Sequence, residues 1–233
     1  MDKIRRIIPI ERPYKLPFES NKWGGAYFDG LIDSNSYIKV NKAASINNLT
    51  TISILAIIVP YSGGVINFGR IFDKGTKGMR MASSRLNCFH IFSVTGGDWQ
   101  TTALNSIVFR QYNHVAITYD NTNVVNSAVM YVNGISKAVT ENVTPNGVAN
   151  LDVGQDIFIG NSSSITRTFD GLIIDIIYIN GLLTQPQIQD IMYGRILPTE
   201  FDCRLWHDYR LGHAFDLSGN NNNGILVGNV RFV

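Results

Sequence analysis

Asn113-His-Val-Ala-Ile-Thr-Tyr-Asp120 is followed, after nine residues, by Met130-Tyr-Val-Asn-Gly134-Ile-Ser. The first run alternates apolar and polar positions over Val115-Ala-Ile-Thr-Tyr, the period of a half-buried β-strand. The second carries Asn133-Gly134, the strongest short hairpin signal in the chain, because both residues tolerate the positive φ of a tight turn. Two strands and a turn of this kind predict antiparallel sheet, and the same reading extends outward in both directions.

Toward the amino terminus lie the candidate strands AYFDG, SYIKV, TISILAIIV, VINFGRIF, MRMAS and CFHIFSV; toward the carboxyl terminus lie DIFIG and GLIIDIIYIN. Gly, Asn and Asp clusters separate them. The run Ile52–Val59 is nearly all apolar, so both faces of that strand are expected to be covered. One short helix is expected after Thr184-Gln-Pro-Gln187, which has the capping-box pattern, with Ile188, Ile191 and Met192 on one face and Gly194 as its stop. The fold class is therefore all-β: an antiparallel sandwich of jelly-roll type with one short helix.

Residues 1–24 read differently. Lys3, Arg5, Arg6, Arg12 and Lys15 alternate with Pro9, Pro13 and Pro17, which favours an extended arm. Residues 25–233 are expected to form a single sandwich. The end of the chain is unusual: Asp216-Leu-Ser-Gly-Asn-Asn-Asn-Asn-Gly224 is a turn-forming run, and two short apolar strands follow it.

Bulk properties narrow the function. The 233 residues are 45% hydrophobic and 16% charged, which suits a chain with a real core. A net charge of +2 without a Lys/Arg block gives no reason to expect nucleic acid. The opening MDKIRRIIPIERPYK has no signal-peptide pattern, and no apolar run is long enough for a membrane helix. Cys88 and Cys203 are read as two free thiols.

Several segments together resemble laminin-G-like jelly rolls of the concanavalin A-like lectin/glucanase superfamily. They are Tyr27-Phe-Asp-Gly30, Tyr37-Ile-Lys-Val40, Asn113–Asp120, Met130–Gly134, Ile157-Phe-Ile-Gly160, Phe169–Asn180 and Leu183–Ile188, in that order from about 26 to 194. In that family a segment like Leu205-Trp-His-Asp-Tyr-Arg-Leu-Gly212 and Asp216–Gly224 comes first; here it comes last. Residues 204–233 are therefore expected to close onto the chain's own first strands, the favoured arrangement, or to complete a neighbouring copy.

The resemblance implies candidate sites. Glucanase relatives carry paired carboxylates on a strand, and no such strand occurs here: Asp175 has no acidic residue two positions away. The histidines and cysteines lack zinc-site spacing. No enzyme is expected. Calcium is a candidate cofactor, with Asp29, Asp170 and Asp175 as ligands implied by the resemblance; turn capping is the plainer role for such aspartates. Glycan stacking would fall to Trp99, Tyr61 and Tyr112, placed in loops or strand ends, with Trp99 in Gly96-Gly-Asp-Trp-Gln-Thr the most ligand-like.

The leading functional expectation is a non-enzymatic structural or adhesion module on a virion (phage-type) surface, made in the host cytoplasm. Its partners would be other virion proteins or copies of itself. A free carbohydrate-binding lectin is the alternative, and a glycoside hydrolase the weaker one.

Overall fold

Among the described residues sixteen strands pair antiparallel with neighbours brought in by a turn or a crossover. The computed structural model describes residues 24–31 and 35–233. The expected arm falls outside these residues except for Gly24. The strands are β1 Ala26–Asp29, β2 Tyr37–Val40, β3 Thr51–Pro60, β4 Arg70–Asp73, β5 Lys77–Ala82, β6 Arg85–His90, β7 Gly97–Thr101 and β8 Asn113–Asp120. They continue as β9 Val129–Val132, β10 Ile135–Lys137, β11 Val139–Val143, β12 Ile157–Ile159, β13 Asp170–Asn180, β14 Cys203–Asp208, β15 Gly224–Val227 and β16 Arg231–Phe232. One helix, α1 Gln185–Met192, follows β13.

Two sheets form the sandwich. The first runs β10-β9-β8-β3-β13-β1-β16, with β14 also paired to β13; the second runs β11-β7-β6-β5-β4-β12-β2-β15. Their inner faces meet in one core that includes Phe28, Ile54, Ile58, Phe72, Met79, Leu86, Ile117, Tyr119, Ile159, Phe169 and Tyr178. The hairpin read from Asn133-Gly134 is present: φ is 52° and 72° at the two residues, and Val132 pairs with Ile135.

β3 and β13 lie at the centre of the first sheet and are buried along nearly their whole length on both faces. The outer face of one half is covered by Leu183, just before α1, and by Ile188 of α1, packed on Leu55, Ala116, Ile177 and Ile179. The backbone N–H of Thr184 donates to Gln187 Oε1 at 2.8 Å, which fixes the start of the helix.

Several elements differ from the sequence expectation, among them β11, a strand at 139–143 not expected from the sequence. VINFGRIF is not one strand: Ile66 and Asn67 take φ of 45° and 64°, so Val65–Asn67 forms a 3-10 turn before β4 begins at Arg70. The polar stretch around Trp99 is strand, not loop. Residues 203–208, not expected as a strand, form β14 against β13.

The terminal strands return to the chain's own beginning. β15 pairs with β2 and β16 with β1, each at the edge of a different sheet. The asparagine run is the knot that turns the chain there. Asp216 accepts from the backbone N–H groups of Trp206, Ser218 and Asn222 and from Ser218 Oγ. Asn222, buried, donates to Arg204 O at 2.6 Å, and its own carbonyl meets His207 Nε2 at 2.9 Å.

Candidate functional site

The six residue positions Lys39, Phe158, Asp73, Gly78, Phe89 and Asp98 are consecutive register partners across β2, β12, β4, β5, β6 and β7. Residues opposite one another in register share a face. The alternation in β5, β6 and β7 sends Met79, Cys88 and Trp99 into the core, so Gly78, Phe89 and Asp98 face outward. Arg80, Asn87 and Gln100 form the adjacent outward row, again in register. The outer face of the second sheet thus carries rings, guanidinium groups and amides side by side.

Phe89 is the centre of this face. Arg70 holds its guanidinium carbon 4.8 Å from the ring centroid, and Arg80 does so at 5.4 Å. Arg80 also lies 4.9 Å from the Phe68 ring, which is exposed. Gly78 makes room for this: a Cβ there would come within 2.6 Å of the Phe89 ring and 2.5 Å of Phe72 O. The polar groups are mutually oriented. Arg80 donates to Asn87 Oδ1 at 2.7 Å and is paired with Asp98. Asn87 and Asn142 both donate to Asp98 Oδ1 at 2.8 Å. Arg70 pairs with Asp73 at 3.0 Å. Burial, and next the like charge of Arg80, lower Arg70 from the ordinary guanidinium value.

Such a surface offers a flat ring for stacking on an apolar face, flanked by fixed donors and acceptors. Its polar groups need no reorganisation to meet a polyhydroxylated ligand, because each is already held by a neighbour.

The residues singled out from the sequence lie elsewhere. Trp99 is 0% exposed: its ring packs at 4.9 Å on Tyr119 in the core, and its Nε1–H donates to Glu141 Oε2 at 3.0 Å. It is not a surface platform, because the polar residues around it mark only the outward half of β7. Tyr61, 39% exposed, stands 6.2 Å from Tyr27 at the end of β3. Tyr112 packs with Tyr27 against Ile57, Val59, Leu172 and Ile174 on the outer face of the other sheet. Neither tyrosine belongs to the Phe89 face.

The three aspartates do not make one calcium site. Asp29 and Asp170 are register partners on β1 and β13. Asp175 is five positions further along β13, roughly 16 Å away at strand rise. Among the described residues no three acidic, histidine or cysteine side chains gather as a metal-ligand group. Asp29 and Asp170 thus stand together, and Asp175 stands apart from them.

Asp175 instead joins an ion cluster. It is the register partner of Asp208, whose carboxylate takes both Nε and Nη2 of Arg210, at 2.7 and 2.8 Å. Arg210 Nη2 lies 3.6 Å from Asp175 Oδ2. Burial pushes the Asp175 carboxyl up to about 8, against the pull of Arg210. Clamped and buried, this carboxylate pair ties the turn after β14 to β13.

Residues 33–189 match the family profile described as the concanavalin A-like lectin/glucanases superfamily, of laminin-G type. The chain belongs to this superfamily. Its fold is shared with solved structures of low identity. A protein from Bacteroides ovatus described as carbohydrate-binding aligns with a TM-score of 0.65 at 16% identity, over 90% of this chain and 59% of that one. The present chain thus spans about three fifths of that protein's length. The mouse laminin α1 chain domains LG4-5 align with a TM-score of 0.51 at 17% identity, over 70% of this chain and 44% of that one. The CBM40 of the Ruminococcus gnavus IT-sialidase, bound to α2,3-sialyllactose, aligns with a TM-score of 0.51 at 12% identity, over 71% of this chain and 95% of that one. No curated protein matches the chain. The Phe89 face escaped sequence reading because its members come from six strands; the signal lay in the outward alternation of Arg80, Asn87, Phe89, Asp98 and Gln100, legible only once the strands are paired.

Proposed function

We propose that the chain is a non-catalytic glycan-binding adhesion module that uses the outer face of the second sheet. The observation that carries this reading is the Phe89 ring, framed by Arg70 and Arg80, with Asn87, Asp98 and Asn142 beside it. Its membership of a lectin-like superfamily and its fold likeness to carbohydrate-binding proteins support it. The clamped Asp175–Asp208 pair, held by Arg210 and buried, supports a structural rather than hydrolytic use of those carboxylates.

Nothing in the described residues bears on a virion surface, so the proposal stops at adhesion through a glycan. A glycan array with the full chain and with Phe89→Ala tests it. The expected result is saturable binding to a defined set of glycans, weakened roughly tenfold or more by Phe89→Ala if stacking contributes about 1.5 kcal/mol. Circular dichroism of both proteins should coincide, since Phe89 is only half-buried. Retention of full affinity by Phe89→Ala would overturn the placement of the site.

A further inference from the structure

We propose that the groove between the outer face of the first sheet and the end of α1 binds a linear aliphatic ammonium ion, held at Asp175 and His114. The groove lies on the opposite side of the sandwich from the Phe89 face, and its occupancy is independent of glycan binding.

Strand register builds the floor of the groove. Asp208, Asp175, Ile57 and His114 are consecutive partners across β14, β13, β3 and β8. Trp206, Ile177, Leu55 and Ala116 form the row beside them. Partners in register share a face, and the second row belongs to the outer cluster under α1. Ile191 and Met192, at the end of α1, form the far wall. The groove is half-open and has two lobes that share Ile57, Asp175 and Ile177. The larger, about 40 Å³, reaches Trp206 and Arg210; the smaller, about 20 Å³, reaches His114.

The walls are apolar except at a few buried atoms. Asp175 and His114 are 6% and 2% exposed. Among the described residues, Asp175 Oδ1 and His114 Nδ1 close no hydrogen bond. The indole N–H of Trp206 acts on the same carboxyl but closes none either. A buried polar atom left unmet is costly, so apolar walls with converging polar atoms of this kind mark a ligand site.

Charge selects the ligand. Arg210 is committed to Asp208 through Nε and Nη2, and stands 3.6 Å from Asp175 Oδ2. One guanidinium thus faces two carboxylates, and the deficit falls at Asp175 Oδ1. Without a second cation, burial favours the protonated form and pushes this carboxyl up to about 8. Burial also lowers His114 to about 4, which leaves a neutral imidazole whose Nδ1 accepts in the Nε2–H tautomer. An ammonium group has three donors and no acceptor, which suits two unmet acceptors. A metal ion is served less well: calcium takes roughly six to eight oxygens, and among the described residues no three acidic, histidine or cysteine side chains gather. Size selects the rest. At roughly 10–15 Å³ for each water-sized group, the lobes hold a chain of about four or five heavy atoms, too few for a sugar ring. Ile57, Ile177, Ile191 and Met192 line the path of its methylenes.

The test uses the full chain with Ile, Leu, Val and Met methyl groups isotopically labelled, titrated with butylammonium at constant chloride. The expected result is saturable shifts at Ile57, Ile177, Ile191 and Met192, with the exposed Val143 and Ile225 of the second sheet unmoved. 1-Butanol, of the same length without the charge, should bind roughly tenfold or more weakly. Asp175→Asn keeps the shape of the carboxyl and removes its charge; it should erase that preference while its spectrum stays that of the folded sandwich. His114→Leu should weaken butylammonium and leave 1-butanol unchanged. A lysine acetylated and amidated at its backbone separates two sources of the same group. Binding as tight as that of butylammonium assigns the groove to a lysine side chain, and weaker binding assigns it to a free amine. Butanol binding as tightly as butylammonium, full affinity in Asp175→Asn, or no saturable shift at these methyls overturns the proposal.

Discussion

The ammonium of Lys77 lies 3.0 Å from Oδ2 of Asp152, and both side chains are buried. Lys74 reaches the same carboxylate at 3.5 Å and completes its contacts with three oxygens, Asn47 Oδ1, Asp152 O and Gln155 O, at 3.1 to 3.2 Å. The backbone N–H of Asn48 donates to Asp152 Oδ1. Two lysine cations and one aspartate thus hold the loops at residues 47–49 and 152–155 against the turn after β4. Breaking such a pair is costly, because a buried charge is left uncompensated.

Asp152→Ala should therefore lower unfolding free energy by roughly 3–5 kcal/mol at neutral pH, measured by urea denaturation. Burial by itself would raise Asp152, but Lys77, the Asn48 N–H and Lys74 outweigh it and hold the carboxyl below its ordinary value. The sign follows: its stabilisation is present above the unfolded value and is lost as pH falls through the lower folded one. The gap between wild type and Asp152→Asn should close only in strong acid. A gap that is the same at pH 2 and pH 7 would contradict the assignment.

Asp175 should behave in the opposite way. Its folded value, about 8, lies above the unfolded one, so the folded state binds the extra proton between them. Stability tied to this group is full below the unfolded value and is lost as pH rises through 8. Asp175→Asn should gain roughly 1–3 kcal/mol over wild type at pH 9 and little at pH 4. Thermal melts across that range read the difference directly; a gain confined to the acid end would refute it.

Gly78 is predicted to matter to binding without touching a ligand. A methyl group there would press on Phe72 O and the Phe89 ring, displacing the ring from its contacts with Arg70 and Arg80. Gly78→Ala should cost roughly 1–3 kcal/mol of stability by overpacking. It should also weaken glycan retention as Phe89→Ala does. Normal affinity in a folded Gly78→Ala chain would mean that ring position is irrelevant.

Asp216 should govern the closing strands. It accepts from four donors in the asparagine-rich turn. Removing it leaves those donors to water or to nothing, about 1 kcal/mol for each bond lost. In Asp216→Ala, amide hydrogen exchange should quicken in β15 and β16 while β3 and β13 stay protected. Uniform quickening through both sheets would show instead that the turn is part of the global folding unit.

Much of the fold is legible in the sequence. β1, β2, β3, β8, β9, β12 and β13 follow the candidate strands, α1 follows the Thr184–Gln187 cap, and Asn133-Gly134 makes its turn. Each of these signals is local: alternation, a cap, or positive φ. VINFGRIF is interrupted by positive φ at Ile66, a β-branched residue that disfavours it, so no local signal marks the break. The burial of Trp99 is hidden in the sequence because the polar residues around it form only the outward face of β7. Lys74 and Lys77 gave no hint of burial, since their compensating Asp152 is about 75 positions away.

Sequence alone determined that this chain makes short antiparallel strands with a lectin-like order of motifs, because side-chain period and turn chemistry act between near neighbours. Only the tertiary structure decided what those strands present. The Phe89 face draws its residues from strands between Lys39 and Asp98 and from Phe158 and Asn142, and the Asp152 cage joins loops far apart in the chain. Register between strands, and not the pattern within any one of them, sets which side chains share a face.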